Sequence, residues 1–105
     1  MSDSGAARER RSSERLARFK RRPDVRRVTH KYAGWSRTDE GILAMVQLSG
    51  LAQLHLAGKL SRRAFLIGLR RIAAAVGVPF RDLRVMCRSV EEMIRCASLS
   101  CSDEL

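Results

Sequence analysis

The sequence predicts an all-α fold: a small bundle of three or four helices preceded by a basic, largely disordered N-terminal arm. Apolar residues recur with helical spacing in consecutive segments after residue 38. Residues suited to helix ends separate those segments. The basic residues, in contrast, are concentrated before residue 38. We therefore divide the chain into a basic arm and linker (1–37), a helical domain (38–99) and a tail (100–105).

Charge is distributed unevenly along the chain. Residues 1–37 contain 12 Lys and Arg against 4 Asp and Glu, a net of +8, whereas residues 38–105 contain 9 against 7, a net of +2. A field of this sign attracts nucleic acid, an anionic membrane surface or an acidic protein. All but three of the 21 basic residues are arginines. The planar guanidinium group suits phosphates and guanine edges, so this composition favours a nucleic-acid partner.

The N-terminal segment predicts a basic arm with little capacity to fold alone. From Arg8 to Arg22 it reads RERRSSERLARFKRR, in which only Leu16, Ala17 and Phe19 are apolar, too few to bury a helix face. Leu16 and Phe19 alone give little support to a membrane-bound amphipathic helix. A bound polyanion would remove the repulsion that opposes a helix here, as in arginine-rich segments that fold on RNA. DNA phosphate binding and nuclear import are equally compatible with this cluster. The candidate nucleic-acid-binding residues of the arm are Arg8, Arg10, Arg11, Arg15, Arg18, Lys20, Arg21, Arg22, Arg26 and Arg27.

The middle of the chain predicts a linker followed by the central helix. Tyr32 and Trp35 are expected to pack over the core, with base stacking as the alternative for Trp35. Ser36, followed three residues later by Asp39, indicates a helix start. Residues 40–57 are the most apolar stretch, but polar residues interrupt it before the ~20 apolar residues that a membrane span needs. We interpret the stretch as a largely buried helix with a potential for self-association, and a homodimer is one expected assembly.

Four leucines of this helix, Leu48, Leu51, Leu54 and Leu56, admit two interpretations. Their spacing, L-x2-L-x2-L-x-L, resembles leucine-rich nuclear export signals. With the basic arm as a localisation signal, that resemblance implies a protein-interaction adaptor or nucleocytoplasmic shuttling protein that docks a partner through its apolar helices. Alternatively the leucines form the core, because any buried helix has leucines at these offsets. His55, in the same helix, is expected to be an ordinary helix residue rather than a ligand.

The segment from Arg70 to Arg88, RRIAAAVGVPFRDLRVMCR, predicts the end of one helix, a tight turn and the start of another. Ser61 is the expected N-terminal cap of the first helix. Gly77 suits the left-handed position after a helix, and Pro79 suits the first position of the next one. We therefore expect two helices in direct contact across this turn.

Three arginines of the second helix, Arg81, Arg84 and Arg88, share one face because they are spaced i, i+3 and i+7. The order of residues around the turn is an apolar residue, Ala, three residues, Gly, an apolar residue, then Leu and Met. This order resembles the helix-turn-helix of repressor-type DNA-binding proteins. The resemblance covers 19 of 105 residues and implies that the three arginines face a DNA groove.

The last segment is expected to divide into a short helix, 80–88, and a final helix, 90–98. Ser89 and Glu92 have the spacing of a capping box, which marks a helix start. Glu92 also lies four residues after Arg88, a spacing that predicts an ion pair between them.

The sequence contains no motif for catalysis, metal binding or cofactor binding: CxxC, HExxH, a glycine-rich phosphate loop and GxSxG are absent. Cys87, Cys96 and Cys101 lie far along the chain from the histidines at positions 30 and 55, which disfavours zinc. We therefore expect neither enzymatic activity nor a cofactor. The charged N-terminus is unlike a secretory signal, and an odd number of cysteines suits a reducing compartment, so a cytoplasmic or nuclear location is expected.

The main functional hypothesis is a small basic regulatory protein that binds nucleic acid, with DNA and RNA undecided. Charge asymmetry and the arginine-bearing helix support it. The alternative is the adaptor or shuttling protein described above.

Overall fold

The computed structural model describes the backbone of residues 3–102 and the side chains of residue 7 and residues 9–97. Within that part of the chain it has five α-helices and no strand, which confirms the predicted all-α class with more helices than predicted. No helix there is long and apolar enough to cross a membrane. The elements are α1 (Asp3–Lys20), α2 (Pro23–Lys31), a 3₁₀ turn (Trp35–Arg37), α3 (Asp39–Leu56), α4 (Arg62–Val76) and α5 (Phe80–Ser102).

Helix α5 is the element against which all the other helices pack. It contacts α1, α2, α3 and α4, and α3 also packs against α4. Its 23 residues give it a length of about 35 Å, which is enough for several helices to pack along its sides. The most deeply buried large side chains are Leu48 of α3, Leu69 of α4, and Leu83 and Cys87 of α5. The core therefore lies between α3, α4 and one face of α5.

The N-terminal segment is helical and packed, which differs from the predicted disorder. Helices α1 and α2 both lie against α5. Phe19, Val25 and Val28 are buried, and Val28 belongs to the main core cluster. Ser12 is buried as well. Helix α1 has few large apolar residues, but a helix that docks on an existing surface needs only a few buried side chains.

Both predicted ends of α4 are confirmed. The Oγ atom of Ser61 accepts a hydrogen bond from the backbone N–H of Ala64 at 3.2 Å, which caps the start of the helix. Gly77 ends it with φ at 70°, a left-handed conformation that glycine adopts without a Cβ clash. The turn to α5 is therefore determined by local residues.

Helix α3 begins at a different cap from the predicted one. Thr38, not Ser36, caps the helix, because its Oγ1 accepts a hydrogen bond from the backbone N–H of Gly41 at 3.1 Å. Gly41 is also needed sterically, since a Cβ there would overlap the carbonyl oxygen of Trp35. The packing of the preceding 3₁₀ turn thus decides which polar residue serves as the cap.

Helix α5 is continuous where two helices were predicted. The Ser89 hydroxyl does not cap a new helix but donates to the carbonyl of Val85, one turn earlier, at 3.1 Å. The predicted break is therefore wrong. The backbone stays helical to Ser102, into the predicted tail, and residues 103–105 lie outside the described residues.

Candidate nucleic-acid interface

After the turn between α4 and α5, one side of α5 packs into the core. The opposite side, which carries a row of arginines, stays exposed. The apolar positions of the pattern that resembles a helix-turn-helix are all buried, namely Ile72, Ala73, Val78, Leu83 and Met86. These contacts fix the rotation of α5 about its own axis. The face that bears the arginines is consequently the face that remains outside.

Arg81, Arg84 and Arg88 are all exposed on this outer face of α5. Their spacing places them within about 60° of one another around the helix and along about 10 Å of its length. Arg62, the first residue of α4, lies beside Arg84 and Arg88. We call these four residues the arginine face.

A cleft of about 270 Å³ lies between α5 and the start of α4. Arg62, Arg84 and Arg88 line it, and Glu91 is the one acidic residue in its wall. Three guanidinium groups against one carboxylate make the cleft attractive to an anion. The remaining lining residues are His55, Phe65, Leu66, Leu69 and Cys87.

His55 and Cys87 lie in the wall of the cleft, next to Glu91. The His55 ring stacks on Phe65, with 4.1 Å between centroids and 8° between planes. Its Nδ1 atom is buried, lies 3.6 Å from Oε1 of Glu91 and makes no hydrogen bond to the described residues. Burial, together with the Glu91 charge, raises the pKa of the Cys87 thiol to about 12. That thiol is therefore protonated at neutral pH and is not a nucleophile.

Glu92 is committed to other arginines and does not neutralise the arginine face. Its carboxylate receives Arg15 of α1 through two nitrogens, Nε at 3.0 Å and Nη2 at 3.1 Å, and Arg95 at 3.3 Å. The predicted pair between Arg88 and Glu92 is therefore wrong. Of the two side chains that reach Glu92, Arg95 is three residues away, whereas Arg15 lies 77 residues away in sequence, a contact that no local spacing indicates.

Asp82, the acid at the start of α5, is buried beneath α2 and the residue that follows it. The Tyr32 hydroxyl donates to it at 2.7 Å, Lys31 lies 3.5 Å away and Arg27 4.0 Å away. The hydrogen bond from Tyr32 is the main reason why the pKa of Asp82 is below its usual value; the nearby cations add to the effect and burial opposes it. Burial, and then the contact with Asp82, raises the pKa of Tyr32. This network fixes α2 against α5.

The predicted basic residues of the N-terminal segment lie on or between α1 and α2, and those that the structure describes are exposed. Arg15 and Arg27 make the ion pairs given above, and Arg22 lies 3.4 Å from Asp24. The side chain of Arg8 lies outside the described residues. Among the described residues, no ion pair involves Arg10, Arg11, Arg18, Lys20, Arg21 or Arg26.

The four leucines of the export-like pattern occupy different environments. Leu48 is fully buried, Leu51 and Leu56 are half-buried, and Leu54 is exposed. Leu51 packs on α4, where its side chain lies 3.0 Å from the position of a Cβ at Gly68. A receptor that recognised all four leucines would have to open the core at Leu48. The export function stays a prediction.

Tyr32 and Trp35 pack against the core, as predicted, with their rings edge to face at 5.9 Å between centroids.

Sequence reasoning missed Arg62 as a member of the site. Its position directly after the Ser61 cap was readable from the sequence, but its closeness to Arg84 depends on how α4 and α5 pack.

Comparison with known protein families, curated proteins and solved structures finds no match to this chain. The resemblance to a helix-turn-helix covers residues 70–88, around the turn.

Proposed function

We propose that this protein binds double-stranded nucleic acid with the arginine face. The observation that carries the proposal is that this face is not neutralised, although three acidic residues are present on the same helix. Asp82 is bonded to Tyr32, Glu92 to Arg15, and Glu91 lies against His55. Among the described residues, no acid forms an ion pair with any member of the arginine face. Its positive charge is thus available to an external anion.

The guanidinium groups of the arginine face suit phosphate recognition. Guanidinium groups bind phosphate oxygens through paired hydrogen bonds, with a geometry that lysine cannot reproduce. The α5 arginines extend along about 10 Å of a helix, comparable with the ~12 Å width of the DNA major groove. Because the opposite side of α5 is in the core, the backbone that carries them is fixed before binding, which reduces the entropy lost on association.

The aromatic residues favour a duplex over a single strand. Proteins that bind single strands stack bases on exposed aromatic rings. The chain has five aromatic residues and all are buried or half-buried: Phe19, Tyr32, Trp35, Phe65 and Phe80. Phe80 is also covered by Arg70, whose guanidinium carbon lies 5.1 Å from the ring centroid. A phosphate-bearing duplex is therefore the better partner for this surface.

Basic residues of α1 and the α1–α2 junction that form no ion pair with the described residues would supply additional phosphate contacts. Such contacts raise affinity for any sequence, whereas contacts to base edges discriminate between sequences. The deep, narrow major groove of duplex RNA excludes side chains, so base reading by α5 requires DNA, and phosphate contacts alone accept both duplexes.

The experiment is a binding titration with labelled duplex DNA, duplex RNA and single-stranded RNA of one sequence at two salt concentrations. The Arg84→Ala/Arg88→Ala variant tests the arginine face. The matched control is Arg63→Ala/Arg71→Ala, which removes the same charge from the exposed side of α4. We expect the first variant to bind duplexes about tenfold more weakly. The slope of log affinity against log salt concentration should also become shallower by about 1 to 2, because each phosphate contact contributes about 0.9 to that slope.

The control separates a specific surface from net charge. The Arg63→Ala/Arg71→Ala variant should lose much less affinity and keep the slope of the wild-type protein. Equal losses in both variants would mean that binding follows total charge, and the proposal would be wrong. Tighter binding to the single strand than to either duplex would also contradict it.

A further inference from the structure

The outward face of α3 is apolar although the chain as a whole is 30% charged. Ile42, Leu43, Val46 and Leu54 are 52%, 60%, 62% and 44% exposed. A shallow groove along this face is lined by Ile42, Met45, Val46 and Gly50, with Ser36, Ser49 and Gln53 as its polar residues. No other helix has more than one large apolar residue exposed among the described residues. Four large apolar side chains exposed on one helix favour an interaction surface.

We propose that this face binds a second copy of the chain, with the two α3 helices antiparallel and crossing near residue 48. The contact is two-fold symmetric, so each copy presents the same residues to the other. Two independent properties of α3, its shape and the charge at its ends, point to this arrangement. Neither property depends on nucleic-acid binding.

The shape of the face is complementary to itself. Val46 projects from the helix, and Gly50, one turn later, leaves a gap in which an added Cβ would meet no atom within 4 Å. A crossing at residue 48 places Val46 of each copy over Gly50 of the other. Glycine weakens a helix interior relative to alanine, and no close contact with the described residues requires it at position 50. A second helix seated in the gap accounts for the glycine.

The charges at the two ends of α3 select the antiparallel orientation. Asp39 and Glu40 are exposed in the first turn, and Lys59 is exposed just after the last turn. With the crossing at residue 48, the acidic end of each copy lies opposite residues 56–57 of the other and within reach of Lys59. A parallel pair would bring the two acidic ends together. Among the described residues, none of these three forms an ion pair, so all are available to a second copy.

The experiment is sedimentation equilibrium of the full chain, with Gly50→Gln as the first variant. Glutamine is a better helix former than glycine, so the helix content of the variant should be kept or raised. We expect its self-association to fall by about tenfold or more because the side chain fills the gap that Val46 occupies. The matched control is Ala74→Gln, on the exposed side of α4, which should associate like the wild-type protein.

A charge swap tests the orientation. Asp39→Lys/Glu40→Lys and Lys59→Glu should each weaken association, and the chain that combines all three changes should recover it, because opposite charges again face each other in an antiparallel pair. Circular dichroism of each variant confirms that α3 remains folded. A wild-type protein that stays monomeric throughout the concentration range, or a Gly50→Gln variant that associates normally, would overturn the proposal. A combined variant that is weaker than both parents would overturn the antiparallel geometry.

Discussion

Two basic regions of the molecule differ in what neutralises them. In the N-terminal helices, Arg15 is held by Glu92, and Arg27 lies against Asp82. On the outer face of α5, Arg84 and Arg88 have no acidic partner among the described residues. The first region carries most of the net charge of the chain, yet part of that charge serves to dock α1 and α2 on α5. The second region has fewer cations, and they form no ion pair with the described residues.

Charge density alone therefore does not identify a binding surface in this protein. An arginine within reach of a carboxylate contributes to packing and is partly unavailable to an external anion. Asp82 lies against Arg27 of α2, and Glu92 pairs with Arg15 of α1 as well as with Arg95 of its own helix. If this interpretation is correct, removing a docking contact should cost stability, and removing an arginine of the outer face should not.

The largest effect is expected for Asp82→Ala. The substitution leaves the half-buried hydroxyl of Tyr32 without its partner and frees the cations that flank it. Loss of a buried, charge-assisted hydrogen bond predicts a decrease of about 2 kcal/mol in the free energy of unfolding, measured by urea denaturation. The control Glu14→Ala, an exposed residue of α1, should change it by less than about 0.5 kcal/mol. A similar loss for both variants would show that Asp82 does not fix α2.

A smaller loss of folding stability is expected at low pH, because the pKa of Asp82 is lowered in the folded protein. The stabilisation by its carboxylate is complete above the unfolded-state pKa of about 3.9 and is lost as pH falls through the lower pKa of the folded state. The stability difference between wild type and Asp82→Asn should therefore be constant near neutral pH and shrink below about pH 4. Urea midpoints across this range measure it. A difference that stays the same down to about pH 2.5 would exclude the linkage.

The smallest expected changes in the free energy of unfolding come from single arginine substitutions, one in each basic region. Arg15→Ala should lower the free energy of unfolding by about 0.5 kcal/mol, because Arg15 is largely exposed although Glu92 is not. Arg88→Ala should leave it unchanged within about 0.3 kcal/mol, the error of such a measurement. A double-mutant cycle of Arg15→Ala with Glu92→Gln measures the pair itself. Zero coupling in that cycle would remove the proposed docking role of Arg15.

Local signals in the sequence predicted those parts of the fold that depend on one or two neighbouring residues. The Ser61 cap and the end of α4 at Gly77 were both recognisable, because a hydroxyl at the start and a glycine at the end satisfy local backbone requirements. The same reasoning failed at Ser89. A serine inside a helix can bond to the preceding turn, and only the continuous packing of α5 on its neighbours decides between the two outcomes.

The candidate site was predictable only in part for the same reason. Helical spacing was enough to place Arg81, Arg84 and Arg88 on one face. The contribution of Arg62, the capture of Glu92 by Arg15 and the folding of α1 all depend on contacts between residues far apart in sequence. A spacing rule contains no information on such contacts, so the availability of the arginines could not be deduced from their positions.

The position of α5 along the chain has a consequence for biosynthesis. The ribosome produces α1 to α4 first, and every one of them packs against α5, which follows them. At about 5–20 residues per second, translation of the 23 residues of α5 takes roughly one to five seconds. During that interval the nascent chain has Leu48 and Leu69 without the helix that buries them. We therefore expect the packed core to form only when α5 becomes available to the four helices that precede it.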